Sequence, residues 1–265
     1  MAYDAAHCPA RFFHLNSSNA RAKAVDLAVD YDTRPRRFKS LPSVTRVALP
    51  KGNFNIQQTL GEALRSRTST RDFKLRSLPL ARLSQLLYLS HGIRGLKTVE
   101  GEVAFDRCAP SAGGLYPIEL YVATQQVQGV PDGVYHYDAR YHRLEEVVRG
   151  NRHAELAELT IGQDMIRTAN AVVVMCAVFQ RTMWKYGSRG YRYTLLDAGH
   201  IGQNLYLSAG AMGLGAVTIG GFFDAEVNRL LKLSSDEDAL YLACIGQHDR
   251  PHARKAKRRP STLHK

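Results

Sequence analysis

Apolar and polar positions are unevenly patterned along this chain. Residues 1 to about 55 show little periodicity and carry a basic cluster, TRPRRFKSLP; they predict an N-terminal extension lying on the main domain or on a partner. From Gln57 the pattern sharpens. IQQTLGEAL predicts a short helix and RSRTSTRDF a turn. In PLARLSQLLYLSHG, Leu80, Leu83, Leu86 and Leu87 recur at the spacing of one helix face, and Gly92 stops the run. RCAPSAGGLYP reads as a loop. IELYVATQ and GVYHYDARYHRLEEV predict three strands, and RHAELAELTIG a helix. AVVVMCAVF, rich in β-branched residues, predicts a strand of a central sheet. Between about Tyr191 and Met212, the residues Leu195, Ala198, Gly202, Leu205, Ala209 and Met212 form one stripe of a long helix. Its small residues (Gly199, Gly202, Ser208, Ala209, Gly210) leave room for another backbone, and Gly213 or Gly215 ends it as a left-handed cap. A strand (AVTIGGF), a helix (DAEVNRLLKL) and a last strand (ALYLACIGQ) follow. Strands and helices mix without strict βαβ alternation, which predicts an α+β fold.

Composition narrows the picture. With 265 residues the chain can bury a substantial core. Its longest apolar run, Ala171 to Phe179, falls far short of the roughly 20 residues that span a bilayer, so no membrane partner is expected. The N-terminus lacks the apolar stretch of a signal peptide, and the expectation is a cytoplasmic protein. Cys8, Cys108, Cys176 and Cys244 form no CxxC pair, as suits free thiols in a reducing compartment. Cys176 and Cys244 lie in apolar runs and read as core. The net charge is +12, and the tail DRPHARKAKRRPSTLHK holds seven of the basic residues. This tail, 249–265, reads as a solvated, mobile end or as a contact for an acidic peptide or protein surface. No motif for reading nucleic acid accompanies it, so nucleic acid is the weaker partner. Residues 56–248 remain as the main domain.

Several motifs are absent. GLGAVTIGG has Thr218 where a dinucleotide fingerprint needs its third glycine, and it leads into a strand. No phosphate loop, nucleophile elbow or HExxH appears, and no metal site is expected. Four constellations remain. In RTSTRDF, Arg67, Ser69 and Arg71 alternate, so an extended backbone sends all three side chains one way. Two guanidiniums and a hydroxyl suit a phosphate; a solvated basic turn is the plainer alternative. In PSAGGLYP, Pro110, Ser111, Ala112, Gly113 and Gly114 let backbone N–H groups approach a flat polar ligand, or simply make a tight turn. In TMWKYGSRGYRY, Lys185 and Tyr186 adjoin just after the apolar run. The plain alternative there is a surface charge beside a packed ring. Asp197, His200 and Asn204 share a helix face and predict a buried hydrogen-bond network at an interface.

Together, RTSTRDF, LPLARLSQLL, PSAGGLYPIELYV, KYGSRGYRYTLLDAGHIGQNLYLSAGAMGLG and IGGFFDAEVNRLL resemble a SagB-type dehydrogenase of the nitroreductase superfamily, over about Gln57 to Gln247. The resemblance implies an α+β nitroreductase fold with a mainly antiparallel sheet. It implies a homodimer through the long helix, with FMN at the interface. Arg67, Ser69 and Arg71 match the turn that holds FMN, although Thr68 stands where a second arginine is frequent. Pro110 to Gly114 match the loop along the isoalloxazine, and Gly220 and Gly221 a later turn near it. Members of this branch oxidise azolines to azoles in a precursor peptide, alongside a cyclodehydratase, and their Lys–Tyr pair matches Lys185 and Tyr186. Aromatisation removes a proton from Cα and a hydride from the ring Cβ, so a base is needed besides the flavin. A tyrosine at its ordinary pKa of about 10 is a poor base at neutral pH. A neighbouring ammonium favours phenolate, and burial favours a neutral amine, so either member of such a pair can serve. Two other readings stay open: a stand-alone NAD(P)H-dependent reductase of small aromatics, and a non-catalytic scaffold subunit.

Overall fold

Residues 8–19, 31–42, 44–52, 55–99 and 102–249 are described here from a computed structural model. A helix, α1 (Pro9–Asn16), and a strand, β1 (Arg46–Ala48), precede α2 (Leu60–Ser66) and α3 (Leu80–His91). A hairpin follows, β2 (Ile93–Val99) with β3 (Glu102–Arg107). Then come β4 (Ile118–Thr124), β5 (Gly133–Asp138), β6 (Arg143–Arg149) and α4 (His153–Glu158). After these come β7 (Ala171–Ala177), α5 (Gln180–Tyr186), α6 (Arg189–Ala211), β8 (Gly215–Ile219), α7 (Asp224–Leu230) and β9 (Asp238–Gly246). The main sheet has seven strands in the order β1-β6-β5-β4-β7-β9-β8. Every neighbouring pair is antiparallel. The fold is the expected α+β arrangement.

Strand β7 shows why an unbroken apolar run was needed. Its residues are buried throughout because helices cover both faces of the sheet. Val173 and Met175 join the α3 and α6 side, with Leu83, Leu87, Ile201 and Leu205. Val172 and Val174 join the α4 and α7 side, with Leu156 and Val227. Helix α2 opens on a capping box, with Thr59 accepting from the Glu62 N–H and Glu62 reaching back. Helix α6, 23 residues and about 34 Å long, ends at Met212, and Gly213 follows with φ 73° as the left-handed cap.

The stripe on α6 needs one correction. Ala198, Leu205 and Ala209 are buried, but Leu195 is 44% exposed. Gly92 does close α3, in an extended rather than a left-handed conformation. The hairpin β2–β3 and helix α5 escaped the pattern reading. The hairpin stands outside the main sheet with Leu96 and Val103 exposed, so no alternation of burial marks it. Strand β1 pairs with β6 from within the stretch read as an extension. Of the basic tail, only Asp249 lies within the described residues.

Candidate active site

The Lys–Tyr pair owes its position to what precedes and follows it. Strand β7 leads through Val178 and Phe179 into α5, whose last turn carries Lys185 and Tyr186, and Gly187 ends it at φ 53°. Helix α6 begins at once. A Cβ on Gly190 would lie 2.8 Å from both the Met183 nitrogen and the Thr182 carbonyl carbon. The two helices can therefore touch backbone to backbone only because residue 190 has no side chain. Arg181, one turn before Lys185, anchors α5 to the sheet. It pairs with Glu119 at 2.6 Å and donates to the Arg36 carbonyl at 2.9 Å. Glu119 also meets His136 Nε2 at 2.9 Å, and His136 Nδ1 faces Glu145 at 3.3 Å. Burial would lower the His136 pKa, but the two carboxylates outweigh it and push it up to about 9.

The Tyr186 ring packs edge-on against Tyr193 at 5.0 Å, and the Lys185 ammonium lies 5.7 Å from the Tyr186 ring centre. The Tyr186 hydroxyl reaches the glycine loop: a Cβ on Gly113 would lie 2.5 Å from it. Gly113 and Gly114 have φ of 61° and 63°, a region that L side chains disfavour. The loop is pinned from below. Ser111 donates to Asp197 Oδ2 at 2.5 Å and accepts from the Tyr116 N–H at 2.9 Å. Burial pushes the Asp197 carboxyl up to about 6, against the pull of the Ser111 hydroxyl, the Ala112 N–H and His200. Pro110 is exposed and Ala112 half-buried. The Lys–Tyr pair and the loop 110–114 are thus one cluster.

The second cluster forms along the edge strand β8. Ser69 bridges Ala216 in parallel fashion, and the Thr70 N–H donates to the Ala216 carbonyl at 2.8 Å. Thr70 points inward, buried, and Ser69 beside it points away toward α6. Ser69 and Tyr206 share a 3.0 Å hydroxyl hydrogen bond, and the Arg67 guanidinium sits 5.2 Å from the Tyr206 ring centre. The Tyr206 oxygen accepts from the Thr218 N–H at 3.0 Å, and Tyr241 donates to Thr218 Oγ1 at 2.5 Å. Burial opposes ionisation of Tyr206; the bonds from Ser69 and Thr218, and then Arg67, overcome it and lower the pKa. Arg71 is exposed and makes no ion pair among the described residues. Gly220 and Gly221 follow β8 directly; open space surrounds Gly220, and the Gly221 carbonyl accepts from Ile161 at 3.2 Å.

The two clusters do not meet within one chain. Asp197 holds the loop and Tyr206 holds the Ser69 turn. Nine residues of helix separate them, about 13 Å along the axis and half a turn around it. They flank opposite edges of the buried stripe of α6. The predicted network of Asp197, His200 and Asn204 is also divided. Asp197 turns to Ser111, Asn204 donates to the Ser90 carbonyl at 3.3 Å, and His200 is exposed. Tyr206 escaped the sequence reading; its signal is a lone phenol flanking the small-residue stripe. Among the described residues, no helix is long and apolar enough to cross a membrane. No group of three potential metal ligands occurs among them either.

An antiparallel sheet covered on both faces, with a basic turn and a glycine loop on either flank of one long helix, defines the class. The chain belongs to the nitroreductase family, which it matches over residues 64–247. It is 37% identical over 191 residues to MJ1384 of Methanocaldococcus jannaschii, a nitroreductase by name, covering 71% of this chain and 90% of that one. It is 31% identical over 129 residues to the microcin B17-processing protein McbC of Escherichia coli, covering 47% of each. A crystal structure of a protein from Anabaena variabilis assigned to the nitroreductases superposes with a TM-score of 0.73 at 28% identity, over 89% of this chain and 45% of that one. The chain therefore spans less than half of the McbC and Anabaena chains.

Proposed function

We propose that the protein is an FMN-dependent dehydrogenase that oxidises thiazolines or oxazolines in a precursor peptide to the corresponding azoles. The observation that carries the reading is the Tyr186 hydroxyl seated at Gly113, with the Lys185 ammonium beside its ring. A reductase that only passes hydride to and from a flavin has no need of a proton acceptor there. The similarity to McbC, whose name assigns it to processing a peptide, supports the same substrate class.

The residues fit FMN. Arg67, Ser69 and Arg71 offer two guanidiniums and a hydroxyl to its phosphate, and Arg71 carries no competing ion pair among the described residues. The open space at Gly114 and Gly220 is a cradle that a side chain would fill. Because the turn and the loop flank opposite edges of α6, a homodimer through that helix, with the turn of one copy facing the loop of its mate, completes each site. Bound FMN supplies the acceptor for the hydrogen that leaves the ring Cβ. Tyr186, aided by Lys185, takes the proton from Cα. Asp197 holds the loop in place through Ser111, and Arg181 holds α5 against β4. A cyclodehydratase that makes the azoline is the expected partner. The test is anaerobic mixing with a thiazoline-bearing peptide: bleaching of the flavin and loss of two hydrogens per ring by mass are expected. A flavin that stays oxidised with the peptide but bleaches rapidly with NAD(P)H would instead favour the stand-alone reductase, the reading to which MJ1384 lends weight.

A further inference from the structure

Arg107, the last residue of β3, is only 4% exposed, yet no carboxylate lies within ion-pair distance of it among the described residues. Its Nη1 lies 2.7 Å from His91 Nε2, and its Nε is buried without a hydrogen-bond partner. The rings of Phe38 and Tyr116 lie 5.5 and 4.8 Å from its guanidinium carbon, which holds the fork rigid. Glu119, whose charge it feels, is already engaged by Arg181 and His136. Burial, and then the like charge of Arg181, outweigh the pull of Glu119 and weaken its hold on its proton. A buried cation with no anion beside it is costly, and such a residue calls for a partner from outside.

Arg107 lines a cleft of about 240 Å³ between the hairpin β2–β3 and the glycine loop, with Arg94, Lys97, Asp106, Ser111 and Gly114 among its walls. Asp106 is the one acid there, held by Arg94 at 2.8 Å and more loosely by Lys97 at 3.5 Å. Three cations against one anion leave the cleft positive. Its volume suits a single side chain or a peptide terminus and is too small for a helix or a duplex. It borders the same loop that Tyr186 touches, so a ligand held in it adjoins the Lys–Tyr cluster.

We infer that this cleft is a subsite for a carboxylate of an acidic peptide, with Arg107 as its buried anchor and Arg94 and Lys97 at its rim. The inference rests on the peptide-oxidising reading and adds what that peptide must carry near its azoline. The probe is acetyl-Gly-Glu-Gly-Glu-Gly amide, titrated calorimetrically into the flavin-loaded full chain and compared with its Gln isostere. The acid is expected to bind about tenfold more tightly, the scale of one charge-assisted hydrogen bond. Arg107→Gln is expected to abolish the preference and the exposed pair Arg94→Ala/Lys97→Ala to reduce it severalfold. Should Arg107→Gln fail to fold, the surface pair decides: a full preference surviving there overturns the subsite. So does equal binding of the two peptides, or inorganic phosphate binding as tightly as the acid. A preference present in flavin-free protein but lost on loading would show that the flavin is the anion Arg107 awaits, and would end the proposal. Azole formation with no preference for the acid would sink this inference and leave the dehydrogenase reading standing.

Discussion

Gly190 offers a sharp test of how the Lys–Tyr pair is positioned. Alanine in a helix is worth at most roughly 1 kcal/mol over glycine, and less at Gly190, the second residue of α6, yet propensity alone still predicts that Gly190→Ala stabilises. The structure predicts the opposite sign. The new Cβ would stand 2.8 Å from two backbone atoms of α5, and backbone, unlike a flexible side chain, cannot turn aside. Overpacking of this kind costs about 1–3 kcal/mol, which exceeds that gain over most of its range and leaves a net loss of up to about 2 kcal/mol. Gly61, likewise the second residue of its helix, is the control: a Cβ there would meet only the flexible end of Arg65 at 3.4 Å, so Gly61→Ala gains up to about 0.5 kcal/mol. Urea unfolding followed by circular dichroism measures both, provided the slopes agree. A second readout is azole formation, because relief of the clash pushes α5 and Tyr186 away from Gly113. Misplacement of about 1 Å can cost on the order of 100-fold in rate. A Gly190→Ala chain that was more stable and turned over normally would refute the close backbone contact between α5 and α6.

Lys185→Ala and Tyr186→Phe are expected to keep FMN, read from the visible spectrum, and to lose azole formation; full activity in both would remove the proton-transfer role. Ser69→Ala with Arg71→Ala is expected to lose flavin on dialysis, and retention at parent stoichiometry would dismiss the phosphate turn. His136 has its pKa raised to about 9 from 6.5, so its contribution is present in full below pH 6.5 and is lost as pH rises through 9. That is up to about 3 kcal/mol by linkage, and unfolding free energies that do not fall over this window would contradict it. Asp197, an acid with its pKa raised to about 6, favours the protonated folded state, so stability also declines as pH rises from 3.8 through 6. Asp197→Asn is expected to flatten that decline in the same unfolding series.

Much of the sheet was legible because its strands are buried on both faces and rich in apolar and β-branched residues, β7 as a plain apolar run. Helix α6 was legible through its stripe of small residues. Leu195 broke that stripe because periodicity gives a direction around the helix and not what lies opposite it. The hairpin β2–β3 has no sheet to pack on and so leaves no pattern. Of the site, the local pieces were readable as spacing: Arg67, Ser69 and Arg71 on alternate positions, and glycines at 113 and 114. Their grouping was not. Nothing in the spacing says that Tyr186 meets Gly113, or that Tyr206 meets Ser69, since the first depends on where α5 docks and the second on where α6 crosses the sheet. The role of Gly190 was hidden for the same reason, because a glycine required by a neighbouring backbone looks like any other.

Strand β8 closes one margin of the seven-stranded sheet, where unpaired N–H and C=O groups would invite a strand from another molecule. Here the Ala216 carbonyl is taken by the Thr70 N–H and the Thr218 N–H by the Tyr206 hydroxyl. The segment proposed to grip phosphate therefore also shields the sheet from self-association. Loosening that turn would be felt twice, as a weaker grip on the ligand and as a sticky margin, so variants there that precipitate report on solubility as much as on binding.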